Sequence, residues 1–497
     1  MARKGLWLLV MLLTLLPLTV DAIGGGDRLL VWLADGAGPG ALTNPNARGA
    51  LVLMNGDGEV ERTIAELNAA ALNVQRCGTT PDSPNGSTVA IYAGSNERGS
   101  LYLMTGTDDP AVLTGIPWRT CLGPDTLQWA EDSGSLALIN YDLTGTLSAG
   151  ILGIYPTSAP DNPSFTRADV AAFFYDGTRL ALVEAGGDFV SVHSGTPAEL
   201  TELTRLFSGR AGCPHRGAAL TYTGPEALAV ALGENCGSGN RWSVNIVDIP
   251  QRVTNRLLEE PTGPNGRGAA NFFAQAGVLA LWTNDVGDTL VLTYPNGVLG
   301  NFSAEVVRID LRRAQDYALL FDNAVMPRQP ISTPSSAPVT TQDGRWLAIV
   351  EQNANRVSAL HLIDLETGTL ARTIDQPEPG ALFSAIAFTP DSSSLYYVVG
   401  GTDGDVNVLY RTTLTGSAEP PEPVAEGRFV GPLIVAPNGR EAVISERATG
   451  GDRDEPYLNL IAVDLRNGDR ETVFTGAEVV DGALTNRRFA WPLSWRP

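Results

Sequence analysis

The chain has 497 residues, 43% hydrophobic and 18% charged, with 54 Gly, 33 Pro and a net charge of −21. Its apolar content suits a large core and excludes collagen-like or disordered chains, while the Gly and Pro signal many turns. A body this acidic repels nucleic acid, and the sole lysine, Lys4, sits in an N-terminal leader, which excludes Schiff-base, phosphate-loop and Ser–Lys chemistry.

Residues 1–22 combine Arg3 and Lys4 with an apolar run from Leu6 to Leu16 and a Val20-Asp21-Ala22 cleavage pattern. The run is shorter than the ~20 residues of a membrane span. It reads as a signal peptide whose removal leaves 23–497 as a single domain. That domain is expected to be soluble and exported, periplasmic or extracellular, with no membrane span.

A hairpin pattern then recurs: an apolar segment, a turn with Gly, Asp or Asn, and a second apolar segment. It runs through 74–94, 127–142, 171–185, 219–234, 271–285, 338–353, 385–401 and 433–447. The turns fall at 86, 134, 177, 224, 277, 344, 392 and 439. Intervals are 43 to 53 residues except the last before 344, where Met326 to Pro338 reads as an inserted loop. Such spacing fits one four-stranded blade of a β-propeller. Residues 62–73 (RTIAELNAAALN) read alternatively as a short helix.

Several hairpins are followed by an apolar strand that ends in Asp: Asp248, Asp310, Asp364 and Asp464. Their repetition points to turn capping rather than metal ligation. The C-terminal FAWPLSWRP (489–497) resembles a first half-repeat, and DRLLVWLADG (27–36) a second half. The expected fold is therefore all-β: a closed β-propeller of eight or nine four-stranded blades, with N- and C-terminal strands sharing one blade.

FTPDSSSLYY, TTQDGRWLAI and VAPNGREAVI, with IDLETGTL and VDLRNGDR, resemble the WD40-like (TolB-type) propeller repeats of exported bacterial proteins. That resemblance implies a rigid interaction platform.

Sites are sparse. The G-x-S-x-G and H-E-x-x-H motifs do not occur, and the three histidines, His193, His215 and His361, lie in different repeats. His215, beside Cys213, is the one placed to face a central channel. Asn55 to Glu59 and Asp452 with Asp454 are acidic turns. Asp403-Gly404-Asp405-Val406-Asn407 opens like a calcium loop, yet Val408 and Leu414 stand where Gly and Glu belong, so it reads as a solvated turn. No cofactor is expected, with Ca²⁺ the sole candidate. Four cysteines in an exported chain favour disulfides. Cys213 and Cys236 bracket one hairpin and should pair, which leaves Cys77 with Cys121.

The expected function is a non-catalytic platform for a protein or other extracytoplasmic macromolecule, acting as a monomer. The alternative is a small-ligand, metal-dependent or hydrolase/lyase-type site at a channel mouth, built from scattered carboxylates and arginines.

Overall fold

The computed structural model describes residues 28–35, 48–67, 82–94, 98–117, 127–141, 149–186, 189–207, 215–236, 239–261, 280–283, 289–298, 301–310, 317–325, 339–341, 343–352, 358–377, 379–400, 406–414, 419–450, 455–481 and 483–496. The leader and the 326–338 segment lie outside them. Among the described residues there are strands and turns and no helix. The unit is an antiparallel meander of neighbours in sequence. His215–Gly224, Ala227–Cys236, Gly239–Asp248 and Val253–Pro261 form one sheet; Leu382–Phe388, Ser394–Gly400, Asn407–Thr413 and Glu422–Gly427 form another.

Burial follows strand position. Second and third strands are apolar on both faces: Ser358–Asp364 is buried throughout, whereas the fourth strand Thr369–Asp375 is mostly exposed. Strands buried on both sides must be covered on both sides. The cover is the neighbouring sheet. Ala181, Val183, Val190 and Val192 pack on Leu220, Leu228, Val230 and Leu232 of the next sheet. The result is a propeller-like ring of small sheets.

Two sheets share a strand. In Phe165–Tyr175, Phe165 to Arg167 pair with Gly150–Pro156, whereas Val170 to Tyr175 pair with Leu180–Gly186. Asp169, at φ 59°, makes the bend between the two halves. Asp is among the few non-glycine residues that tolerate this conformation.

The chain's two ends meet in one sheet. Arg28–Asp35 pairs antiparallel with Arg488–Arg496, placing Trp32 opposite Trp491, and continues through Gly49–Met54 to Val60–Leu67. The register slips between Leu30 and Val31, opposite Ser494 and Pro492. Proline has no N–H to give a ladder, so a bulge there is expected. Gly58, at φ +78°, turns this sheet tightly against its neighbour: a Cβ there would fall 1.6 Å from the Val473 carbonyl oxygen.

One local expectation is corrected. Residues 62–67 belong to strand Val60–Leu67 rather than a helix, because Leu51↔Ala65 and Val52↔Thr63 pairing supplies the backbone partners. The expected turn at 277 lies outside the described residues; Ala280–Thr283 pairs with Thr289–Val298, Thr283 opposite Leu290.

Candidate functional site

Each meander has two ends. At one, which we call the turn end, the first strand turns into the second and the third into the fourth. At the other, the far end, the second joins the third and the next sheet begins.

The turn end repeats one geometry. In five first turns an amide bonds back to the carbonyl three residues earlier: Gly86 to Ser83, Ser133 to Ala130, Gly344 to Thr341, Ser392 to Thr389 and Gly439 to Ala436. The donors all have positive φ, between 55° and 71°. Ahead of each stands Asn or Asp, whose Oδ1 accepts the amide two residues on, as Asn85 does from Ser87 and Asp343 from Arg345. This is the Asx turn.

Electrostatics follow. Burial alone would raise Asp343, but the Thr341 hydroxyl and Arg345 amide hold it below the usual carboxylate range. The Thr389 and Ser393 hydroxyls do the same for Asp391. Third-strand aspartates cap the second turns as expected: Asp248 accepts from the Gln251 amide at 2.7 Å, Asp364 from Glu366 at 2.9 Å and Asp464 from Arg466 at 2.9 Å. The Asp310 side chain lies outside the described residues.

The terminal sheet joins this network through Arg496. Its guanidinium is fully buried, paired with Asp82 and bonded to the Gly86 carbonyl at 3.1 Å. Ser494 Oγ also donates to Asp82, at 2.9 Å. Nothing local in the sequence marks this pair, because its members lie at opposite ends of the chain.

His193 and His361 occupy equivalent third-strand positions, opposite Leu182 and Ile349. Each meets a second-strand glutamate two residues beyond its direct partner. His361 Nε2 lies 2.8 Å from Glu351, and its Nδ1 lies 3.0 Å from the Thr373 hydroxyl. His193 Nε2 lies 3.2 Å from Glu184 without hydrogen-bond alignment, and Glu184 is held by Arg167 at 2.6 Å. Burial therefore prevails over the Glu184 charge and lowers the His193 pKa. His215 begins its strand opposite Glu234, and its side chain lies outside the described residues.

Other candidates are dispersed. Cys77, Cys121 and Cys213 fall outside the described residues; Cys236 ends strand Ala227–Cys236, where its side chain is not described. Asp403, Asp405, Asp452 and Asp454 also fall outside. Asn407 donates to the Phe429 carbonyl at 2.8 Å, a link between sheets. Asn55 accepts the Asp57 and Glu59 amides, an ordinary turn. Among the described residues no group of three or more His, Cys, Asp and Glu is placed to hold a metal ion.

At the far end Phe207, Val406, Ile151 and Val480 are 52% to 60% exposed; at the turn end Val60, Val253 and Leu370 are 36% to 48% exposed. Phe207 packs on Phe189 at 5.6 Å, and Arg205 covers the Phe189 ring at 4.9 Å. On the Phe429–Val435 sheet, Arg470 grips both Glu446 oxygens, at 2.8 and 3.1 Å, and lies over the Phe429 ring.

No protein-family model matches the chain, and no curated protein matches it. Similar solved structures include a eukaryotic initiation factor, 13% identical with a TM-score of 0.45, covering 94% of this chain and 99% of that one. A dipeptidyl peptidase 4 from Porphyromonas gingivalis is 11% identical, with a TM-score of 0.45, covering 80% of this chain and 60% of that one. An oligogalacturonate lyase in complex with manganese is 12% identical, with a TM-score of 0.36, covering 79% and 99%. At these distances the likeness carries no activity across.

Proposed function

We propose that the chain is an exported, single-domain ligand-binding propeller that receives a small molecule at the far end of its ring. In this reading eight or nine blades form the ring, and Arg28–Asp35 with Arg488–Arg496 closes it. The carrying observation is that, among the described residues, the most exposed large apolar side chains, Phe207, Val406, Ile151 and Val480, all lie at the far end, while Val60, Val253 and Leu370 at the turn end are less exposed. At the turn end the polar groups bond to their own and adjacent turns, as Asp343, Asp391, Asp464 and Arg496 do. At the far end Phe207 and Arg428 are exposed. Rigid scaffolds commonly present function on loops of this kind.

A second reading, a docking platform for another extracytoplasmic macromolecule, is favoured by Phe207, Val406, Ile151 and Val480, large apolar side chains on one end. Thermal unfolding against carboxylates, phosphates, glycans, peptides and metals, with EDTA controls, separates the two. A ligand at a hundred times its Kd stabilises a folded protein by about 2.7 kcal/mol. A shift with one small compound, with footprinting protection at the far end, supports the first reading. Protection confined to the turn end overturns both.

A further inference from the structure

Arginine is the only strong cation of this chain beyond its leader, and most described arginines meet a carboxylate. Arg28 holds Glu61, Arg167 holds Glu184, Arg470 holds Glu446 and Arg496 holds Asp82. Arg428 and Arg447 are among the exceptions, with Arg48, Arg252 and Arg440, and alone of these stand opposite each other. Among the described residues neither the Arg428 nor the Arg447 guanidinium makes an ion pair or a hydrogen bond, although the chain carries 55 carboxylates against 34 basic residues.

Their placement makes this costly. The Arg447 amide donates to the Arg428 carbonyl at 2.9 Å, one step beyond the Phe429↔Glu446 pair, so the two stand directly opposite across adjacent strands. Directly opposed residues share a face, and like charges so placed destabilise a sheet. Arg428 is exposed and Arg447 half-buried, at the far end where Phe429–Val435 begins. The neighbouring carboxylate, Glu446, accepts a hydrogen bond from the Arg428 backbone amide at 3.3 Å but is gripped through both oxygens by Arg470, and neither the Arg428 nor the Arg447 guanidinium reaches it.

We propose that Arg428 and Arg447 are the two arms of an oxyanion site that takes the carboxylate or phosphate group of a small ligand. Guanidinium groups bind such groups through paired, charge-assisted hydrogen bonds, which a point-charge ammonium does not reproduce. An anion between the arms would also relieve their mutual repulsion. The inference rests on the far end being the ligand end. Trp491 provides an internal reporter, because its ring lies against Gly431, three residues along the same strand from Arg428.

The test is titration of the full chain with sodium succinate and, separately, with inorganic phosphate. Chloride at matched ionic strength is the control, and binding is read by calorimetry and tryptophan fluorescence. One of the two anions should bind saturably, and which one identifies the ligand group. R428Q and R447Q should each weaken it at least tenfold, and the double variant little further, since both arms hold one ion. R428K should weaken it less than R428Q, and R440Q, at the turn end, should leave it unchanged. Melting temperatures of the arginine variants should not fall, because each removes a repulsion. Equal affinity in wild type and R428Q/R447Q, or no saturable binding of either anion, overturns the site. If another compound is then found to protect the far end, this inference fails while the reading of that end stands.

Discussion

Ser133 Oγ accepts a hydrogen bond from the Asn85 amide at 3.1 Å, tying the first turn of one sheet to that of the sheet before it. Ser392 makes the corresponding link, donating to Asp343. These two serines occupy the left-handed turn position at which Gly86, Gly344 and Gly439 stand elsewhere. A side chain there costs conformational strain, and the link between sheets offsets it.

Two substitutions separate these terms. Ser133→Ala keeps the strain and loses the bond, so stability should fall by about 1 kcal/mol. Ser133→Gly loses the bond and relieves the strain, and should lie within a few tenths of wild type, given a left-handed cost of about 1–2 kcal/mol. Urea midpoints check this; an Ala variant as stable as the Gly variant would contradict it.

Arg496 is a buried charge whose counter-ion is Asp82. Removing one member of such a pair leaves the other uncompensated, which costs about 3–5 kcal/mol. Asp82→Asn should therefore lower the urea midpoint much more than Asp109→Asn, whose carboxylate pairs with Arg62 at the surface. Comparable midpoints in the two variants would show that the Arg496 contact contributes little.

Asp176, Asp343, Asp391 and Asp464 all titrate below their ordinary range. A carboxylate depressed in the folded state adds stability above its unfolded pKa of about 4, lost as pH falls through the folded value. Asn85 and Asn438 hold the same turn position as Asp343 and Asp391. Asp343→Asn with Asp391→Asn should thus keep the turns and melt near wild type at pH 7. Below pH 4 the double variant should lose stability less steeply.

His193 moves the opposite way from a salt-bridged histidine. Burial lowers its pKa, so its neutral form belongs to the fold, and its contribution is complete above about pH 6.5 and lost as pH falls. Melting temperatures from pH 8 to 5 should decline more steeply for wild type than for His193→Gln. Parallel profiles would remove His193 from the account.

A disulfide between Cys213 and Cys236, which bracket one hairpin, is the pairing the sequence suggests, and Cys213 lies outside the described residues. Closing that hairpin should contribute roughly 3 kcal/mol. Mass spectrometry of non-reduced peptides should recover 213 linked to 236, and Cys77 linked to Cys121. A 213–77 peptide would overturn both pairings.

What was legible in the sequence was whatever repeats. The Asx turns at 86, 134, 344, 392 and 439, the capping aspartates and the pairing of the two ends were visible because each is local or echoed in other copies. Arg428 opposite Arg447, and Arg496 beside Asp82, depend on strand register and on sheet neighbours. No spacing rule along the chain reports either of those.

The shared terminal sheet has a consequence for how the molecule is made. Strand Arg28–Asp35 is among the first described segments to be synthesised, yet its partner Arg488–Arg496 is the last. Until that partner exists, Leu29 to Ala34 present an unsatisfied apolar ribbon with one free backbone edge, a shape prone to aggregation. Sheets from the middle of the chain can assemble as they emerge. The first one must wait, and a holdase that shields RLLVWLAD during that interval would raise the yield of folded protein without touching any other part of the ring.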